Sequence, residues 1–412
     1  MKLLTVDSIE EARIKLLNCM KDRAPVTDRI NSPDALGRIL AEDISADGDI
    51  PNFRRSTVDG YAVVSADTAG AGEAIPVFLK CAGSVEMGKA AGFSLHRGEC
   101  ALVPTGGMIP DGADAVVMVE YTEKAGDNST AVYQSAAVGS NIAEAGEDLR
   151  NGEIFLHRGA CIRFQEIGAL AAAGITTIPV YAPLRITLVS TGDELIPPSA
   201  APETGEVRDI NSWALCALAA RNGYQVMSQK RIGDDEALLE RAVRESLASS
   251  DVVAVSGGSS QGEKDATARI FSRIAKPGIF THGLAVKPGK PTILGFDEVT
   301  QTILAGLPGH PVSAMMVFEI LFSWLARKLT HQSEPVPIPA KVPCNIPGAP
   351  GKTLYQPALL RSDDNAPFAY IAEPVFGKSG MISTLTRAGG YIIIDKNKEG
   401  LKKDEDVWVY LM

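Results

Sequence analysis

From Arg185 onward the chain alternates short β-branched runs with amphipathic helical runs, and this restricts it to a mostly parallel sheet covered by helices. Residues 186–189, 224–231 and 251–255 read as strands; 212–221, 235–247, 266–274 and 312–325 read as helices. Upstream the texture differs. Ser8-x-x-Glu11 has the form of a capping box, opening a short helix through Ala12, Ile14, Leu16 and Leu17. Between about Ile50 and Ala143, runs such as 74–81, 99–103 and 115–121 are broken by Gly and Pro, as in a β-rich domain. Residues 165–174 form an Ala-rich helix that Gly174 is placed to end. A linker with three prolines follows at 333–339, and strands at 391–394 and 407–411 close the chain as a small β domain.

A length of 412 residues is too great for one simple core and suggests two to four domains. With 45% hydrophobic and 22% charged residues, wholesale disorder is not expected. Forty Lys and Arg against fifty Asp and Glu leave a formal charge of −10, the wrong sign for a nucleic-acid binder. Small anionic ligands stay compatible with that sign, because local lysines and helix N-termini can hold phosphate inside an acidic protein. Cys19, Cys81, Cys100, Cys161, Cys216 and Cys344 form no CxxC pair, so neither a zinc site nor a disulfide framework is indicated and a cytoplasmic setting is expected. The N-terminus lacks the apolar stretch of a signal peptide, and no run approaches the ~18–20 apolar residues of a membrane span. The nearest run, 315–325, is short and carries Glu319. A soluble protein without membrane or nucleic-acid partners is expected.

The segment richest in chemistry is Asp251-Val-Val-Ala-Val-Ser256-Gly257-Gly258-Ser259-Ser260-Gln261-Gly262-Glu263-Lys264-Asp265. A buried strand runs into a Gly- and Ser-rich turn that opens a helix. Backbone N–H groups there can approach an oxyanion closely, and the helix N-terminus adds partial positive charge. It is not a Walker A loop, because Glu263 stands where Lys is required, and GxGxxG is absent too. A tight βα turn with no ligand is the alternative. Ser190-Thr-Gly-Asp193-Glu194 makes a second polar turn at a strand's C-terminal end, the edge of an open α/β sheet where ligands bind; helix capping is the other use for these acids. Asp209 or Asn211 could serve the next helix as N-cap or contact a ligand. Lys287-Pro-Gly-Lys290-Pro puts two ammonium groups on one rigid turn, where they repel unless solvated or paired with an anion. Leu307-Pro308-Gly309-His310-Pro311 is a stiff entry to a core helix. In the β-rich part, 51–63 sets Asp59 beside Gly60, 104–117 is a Pro/Gly-framed loop with Thr105, and Gly146-Glu147-Asp148 adds paired acids. Each of these taken singly reads as turn chemistry. There is no HExxH, and His96, His157, His282 and His331 read as surface or loop residues. The carboxylates suit Mg²⁺, which takes one or two acids plus phosphate and water.

Together these fragments resemble the molybdopterin molybdenumtransferase family, MoeA in bacteria and the gephyrin E domain in animals. The resemblance runs in family order from Pro51 to the C-terminus. It rests on P-x-F-x-x-S-x-x-DGYAV at 51–63, PTG and PDGAD within 104–117, GED at 146–148 and STGDEL at 190–195. It continues with SGG-x-S-x-G-x-x-D at 256–265, KPGKP at 287–291 and LPG-x-PVSA at 307–314. The fold it implies is a multidomain α/β plus β chain. An elongated linking domain (1–48 and 143–180), an N-terminal β-rich domain (49–142), a MogA-like α/β domain with a mostly parallel sheet (181–331) and a C-terminal β barrel (332–412) would make it up. It implies a homodimer whose active site lies between the α/β domain of one subunit and the β domain of the other. The implied reaction takes adenylylated molybdopterin and molybdate, with Mg²⁺, and yields molybdenum cofactor plus AMP.

By motif, Asp59, Asp148, Glu194 and Asp265 would be the acids that bind metal or drive hydrolysis of the adenylate, Glu194 and Asp265 being the metal ligands. Thr105 would line the same cleft. Lys287 and Lys290 would hold phosphate or molybdate, and Gly257, Gly258 and Ser260 would cradle pterin or nucleotide phosphates, with Asp234, Ser256, Pro308, Gly309 and Ser379 alongside. MogA-like adenylyltransferases and molybdoenzyme chaperones are the implied partners. The sequence departs from the family pattern at His310 (usually Asn), Ser259 (commonly Val), Ala143 (often Arg) and Tyr355-Gln356-Pro357, where F-x-R is usual. A tungsten-inserting paralogue, an adenylyltransferase acting one step earlier and a partner-binding scaffold are the alternatives.

Overall fold

Ser8 opens the first helix, α1 (Ile9–Met20), through the expected capping box: its hydroxyl accepts from the Glu11 N–H while the Glu11 carboxylate accepts from its own N–H. The computed structural model describes residues 6–21, 25–126, 128–257, 261–363 and 369–412, with the backbone alone at 261–265. They form two compact units, one of 1–28, 37–41 and 179–412, the other of 29–36 and 42–178.

In the second unit, six strands make one sheet: β1 (Gly60–Val63), β2 (Val77–Ser84), β3 (Glu99–Val103), β4 (Ala115–Met118), β5 (Thr122–Lys124) and β6 (Ser129–Val132), in the order 4-1-3-2-6-5. The expected run 115–121 is strand only to Met118, and a 3₁₀ turn takes over at Val119–Tyr121. Alternate residues of β1 and β4 enter separate cores: Ala62 and Val116 pack on one face, Tyr61, Val63 and Val117 on the other. Two short ribbons flank the sheet, Ile44–Ser45 with Ile154–Leu156 and Arg55–Ser56 with Ile142–Ala143. Helix α2 (Phe164–Ala172) follows, and Gly174 beyond it takes the left-handed φ of 70° expected of a helix stop.

The first unit holds the α/β sheet. Its strands are β7 (Leu184–Thr191), β8 (Tyr224–Ile232), β9 (Val252–Gly257), β10 (Pro277–His282), β11 (Ile293–Asp297) and β12 (Thr302–Leu307), ordered 8-7-9-12-11-10. All run parallel except β11. The turns after β7, β9, β10 and β12 therefore leave one edge of the sheet, the edge at which the sequence placed the Ser190, Ser256, Lys287 and Pro308 segments. Ile186, Leu188, Val252 and Ala254 pack one face against α1, α3 (Asn211–Arg221) and the helical segment 311–326. Val189, Val253 and Val255 pack the other against α4 (Glu236–Leu247) and α5 (Gln261–Ile274). These runs are buried on both faces, as a parallel sheet requires.

Two expectations are corrected here. Helix α5 begins at Gln261, not Ala266, so Asp265 sits within the helix and not in the turn. The long helix 312–325 is three pieces: α6 (Pro311–Val317), a π turn at Phe318–Ser323 and α7 (Trp324–Leu329). The π turn carries Glu319, a buried carboxylate 2.8 Å from the Arg221 guanidinium and 3.0 Å from the Ser323 hydroxyl. A helix written as one apolar stretch thus carries a buried carboxylate paired with a half-exposed arginine, which periodicity does not reveal.

The same unit ends in a closed five-stranded barrel of β13 (Ile338–Lys341), β14 (Thr353–Ser362), β15 (Tyr370–Pro374), β16 (Gly390–Ile394) and β17 (Asp406–Leu411), in the cyclic order 14-15-13-17-16. Val407 and Val409 point inward with Leu354, Ala358 and Ala372, while Trp408 between them is exposed. The two-residue strand Val286–Lys287 pairs in parallel with Thr353–Leu354 of β14. The turn read from sequence as a sheet-edge loop is therefore also stitched to the barrel. No helix among the described residues is long and apolar enough to cross a membrane.

Candidate functional site

In the β-rich unit the register of β1 and β3 places Gly60 opposite Val103, so the residue before β1 and the loop after β3 leave the sheet at the same end. Asp59 and Thr105 meet there. The Thr105 N–H and hydroxyl donate to one Asp59 carboxylate oxygen at 2.7 and 3.0 Å. These two donors, the backbone one first, hold the exposed Asp59 carboxyl below its ordinary value. The loops are fixed further: the Ser56 carbonyl accepts from the Gly106 N–H and the Ser56 N–H donates to the Gly107 carbonyl. A Cβ on Gly60 would stand 2.1 Å from the Val117 carbonyl oxygen, so only glycine lets β1 lie against β4. Asp148 is exposed in the same unit, its N–H bonded to the Ile50 carbonyl at 3.0 Å.

At the edge of the α/β sheet, β7 and β9 end side by side, Thr191 opposite Gly257. A Cβ on Gly257 would lie 2.2 Å from Thr191 Cγ2 and 2.4 Å from its carbonyl oxygen. The turn after β7 is locked to the turn after β8. Asp193 accepts from the Asp234 N–H at 2.9 Å, and Asp234 accepts from the Thr191 hydroxyl at 3.1 Å and the Asp193 N–H at 3.3 Å. Neither Asp193 nor Glu194 caps a helix, because a two-residue strand, Leu195–Ile196, follows. Asp234 is thus committed to protein groups, whereas Glu194 is exposed and stands outside that exchange.

Ser256, Asn211 and the Pro308–Gly309 turn form a buried latch. The Ser256 hydroxyl donates to the Pro308 carbonyl at 3.2 Å, and the Asn211 amide donates to the Ser256 hydroxyl at 2.9 Å and to the Gly309 carbonyl at 2.7 Å. The remaining Asn211 oxygen is buried with no partner among the described residues. Asp209 accepts from the Ser190 hydroxyl and from the N–H and hydroxyl of Ser212. Gly258 and Ser260 lie outside the described residues, and for Asp265 only its place in α5 is described.

This unit holds a cleft of about 810 Å³ between the sheet edge and the barrel. It brings together Lys287, Lys290, Pro308, Gly309 and Ser379, all singled out from sequence. Gly289 closes its floor with a left-handed φ of 112°, where a Cβ would meet Val317 at 2.4 Å. His310 Nδ1 lies 2.7 Å from the Ser379 hydroxyl, and the Val312 N–H donates to the Ser379 carbonyl. Sequence reasoning missed Lys352 and Lys378, which also line the cleft. Each is a lone lysine in a Gly-rich turn, and only barrel closure places it here. Among the described residues, four lysines and one histidine line this space and no Asp or Glu does.

Residues 7–174 match "MoeA N-terminal region (domain I and II)", 187–328 match "Probable molybdopterin binding domain" and 339–412 match "MoeA C-terminal region (domain IV)". A protein of Mycobacterium tuberculosis named "Molybdopterin molybdenumtransferase 2" is 33% identical over 317 residues, 76% of this chain and 77% of that protein. The molybdopterin molybdenumtransferase of Haemophilus influenzae is 28% identical over 98% of both chains. The crystal structure of a molybdopterin biosynthesis moeA protein from Pyrococcus horikoshii OT3 superposes with a TM-score of 0.85 at 29% identity, covering 99% of this chain and 100% of that one. With three matched regions in family order, a relative above 30% identity and a shared fold over nearly its whole length, this chain belongs to the molybdopterin molybdenumtransferase (MoeA) family.

Proposed function

We propose that this chain inserts molybdate into adenylylated molybdopterin with release of AMP, assisted by Mg²⁺ and acting as a homodimer. The observation that carries the reading is a cleft walled by lysines, with no acid among its described lining residues, in a chain of net charge −10. A site of that kind attracts oxyanions by field and by direct ammonium contact. The proposed domain division is 1–48 with 143–180, 49–142, 181–331 and 332–412.

In this reading Lys287 and Lys290 hold the oxyanion, and the backbone at Gly257 and Gly258, with Ser260, cradles phosphate at the head of α5. Asp59, kept ionised by Thr105, accepts a proton from the water that cleaves the phosphoanhydride, with Asp148 supporting it; AMP is the leaving group. Asp234 and Ser256 act as positioning residues, because their polar atoms are spent on neighbouring turns. No cluster of three or more potential metal ligands occurs among the described residues. Mg²⁺ draws most of its ligands from water and substrate phosphate and needs only one or two protein carboxylates. Glu194 and Asp265 would supply them, and the bound ion would neutralise charge on the scissile phosphate.

Purified protein given adenylylated molybdopterin, molybdate and Mg²⁺ should release AMP, and the Glu194→Gln/Asp265→Asn double variant should be slower by about 100-fold or more. Full turnover by that variant contradicts the metal assignment. Consumption of ATP in place of AMP release would make the chain an adenylyltransferase.

A further inference from the structure

Spacing in the sequence pairs none of the six cysteines, but the sheet of the β-rich unit pairs two of them. Cys81 on β2 and Cys100 on β3 are Cα partners in the parallel register of those strands. Register partners point to the same face, and both thiols enter the core of Tyr61, Val63, Leu79 and Val117. Neighbouring strands lie about 4.8 Å apart, inside the roughly 4.4–6.8 Å Cα separation that a disulfide spans. The register shifts between Cys81 and Gly83, and a bulge of this kind re-aims the side chains beside it. Both residues are free thiols in this structure. They are not equivalent. Cys81 is half-buried and within reach of a small solute, whereas Cys100 is fully buried. Burial pushes the Cys100 thiol up to about 11, against a hydrogen bond with Thr130 that lowers it, and the adjacent Cys81 thiol adds to the rise. Cys100 therefore stays protonated at neutral pH, and Cys81 is the sulfur of the pair that an oxidant meets first. The pair also bears on the Asp59 loop. From Cys100, β3 runs to Val103 and on through Pro104 to Thr105, whose N–H and hydroxyl hold Asp59. Cys100 faces Val63 of β1, the strand that starts beside Asp59.

We propose that Cys81 and Cys100 are a thiol–disulfide modification site, closed by hydrogen peroxide and reopened by a dithiol, that sets how tightly β3 holds the Thr105 loop on Asp59. The Cys81 thiolate attacks one peroxide oxygen: an S–O bond forms, the O–O bond breaks, and the departing hydroxide takes a proton to become water. Cys81 is left as a sulfenic acid. The Cys100 sulfur then attacks the Cys81 sulfur: the S–S bond forms, the S–O bond breaks, and the departing hydroxide takes the Cys100 proton as a second water. Two thiols are oxidised and one peroxide is reduced to two waters. With the second thiol already beside the first in the core, the sulfenic acid is captured before further oxidation. The closed bond ties β2 to β3 and removes part of the freedom with which β3 opens. The site stands apart from the proposed reaction and is tested without it.

The experiment exposes the reduced full chain to hydrogen peroxide, blocks remaining thiols with iodoacetamide and maps the tryptic peptides without reduction. Trypsin cuts after Lys80, Lys89 and Arg97, so the two cysteines fall in separate peptides. A cross-link between those peptides, lighter by two hydrogens than the pair of thiols and undone by dithiothreitol, is expected. Cys100→Ser should lose the cross-link and leave a sulfenic acid at Cys81 that dimedone traps, a positive signal that misfolding would not give. Cys161→Ser, which removes an exposed thiol elsewhere, should leave the cross-link unchanged. Hydrogen exchange on the oxidised and the reduced parent chain reads the second half of the proposal: amides of residues 99–107, the Thr105 N–H among them, should exchange severalfold more slowly when the bond is closed. Oxidation of Cys81 to a sulfinic acid, a disulfide to another cysteine, or no reaction at either residue overturns the site. A Cys81–Cys100 cross-link with unchanged exchange over 99–107 overturns the coupling to Thr105. Loss of AMP release with both results as expected would count against the proposed function alone.

Discussion

Thr105 governs the charge of a residue forty-six positions away, since Asp59 owes its depressed pKa to the N–H and hydroxyl of that one threonine. Thr105→Val removes the hydroxyl and keeps the backbone donor, so the Asp59 pKa should rise part of the way back to its ordinary value. If Asp59 must be ionised for turnover, the acidic limb of the pH–rate profile moves to higher pH while the neutral plateau changes little; an unmoved limb would remove Asp59 from the role of base. Gly257 faces a different constraint, because the atoms its Cβ would strike belong partly to the Thr191 backbone, which cannot rotate away. Gly257→Ala should destabilise the sheet by about 1–3 kcal/mol, seen as a lower urea midpoint for loss of helical circular dichroism. At this scale the sequence exposed the residues of fixed motifs, Asp59, Thr105, Gly257 and Lys287 among them. It did not expose how they are engaged. Asp234 and Ser256 looked like ligand contacts, and only coordinates show their polar atoms bonded to neighbouring turns.

Elements were legible where hydrophobic period and terminal signals agreed. The runs of β7 and β9 are continuously apolar, as burial on both faces demands, those of α3 and α4 repeat with the helical period, and the capping box of α1 follows from Ser8 and Glu11 alone. Ser8→Ala should cost about 1 kcal/mol of stability, measured by thermal denaturation, and no loss would mean that the cap is dispensable. Illegible were features set by tertiary partners. The π turn at Phe318–Ser323 carries Glu319 against Arg221, a residue ninety-eight positions away. Glu319→Ala leaves the buried Ser323 hydroxyl and the half-exposed Arg221 without that partner, and a loss of about 1–2 kcal/mol is expected by the same denaturation measurement. A loss below about 1 kcal/mol would show the pair to be incidental. Likewise, the pairing of Val286–Lys287 with β14 is a contact between distant segments, with no local signal in either.

For the whole molecule the telling contrast is between a net charge of −10 and a cleft with four lysines and no acid among its described lining residues. Composition alone argued against nucleic acid and left small anions open; the fold concentrates lysines from the sheet edge and from the barrel in one space. Oxyanion binding there should weaken steeply with ionic strength, and replacing two of the four lysines should flatten that dependence. The family was readable from motif order, and the three matched regions bear it out. The direct test of the central claim is a single-turnover reaction with adenylylated molybdopterin, molybdate and Mg²⁺, without ATP, in which AMP and pterin-bound molybdenum are counted together. The account predicts that the two appear at equal rates and in equal amounts. AMP released while molybdenum stays free, or no AMP at all, would contradict it.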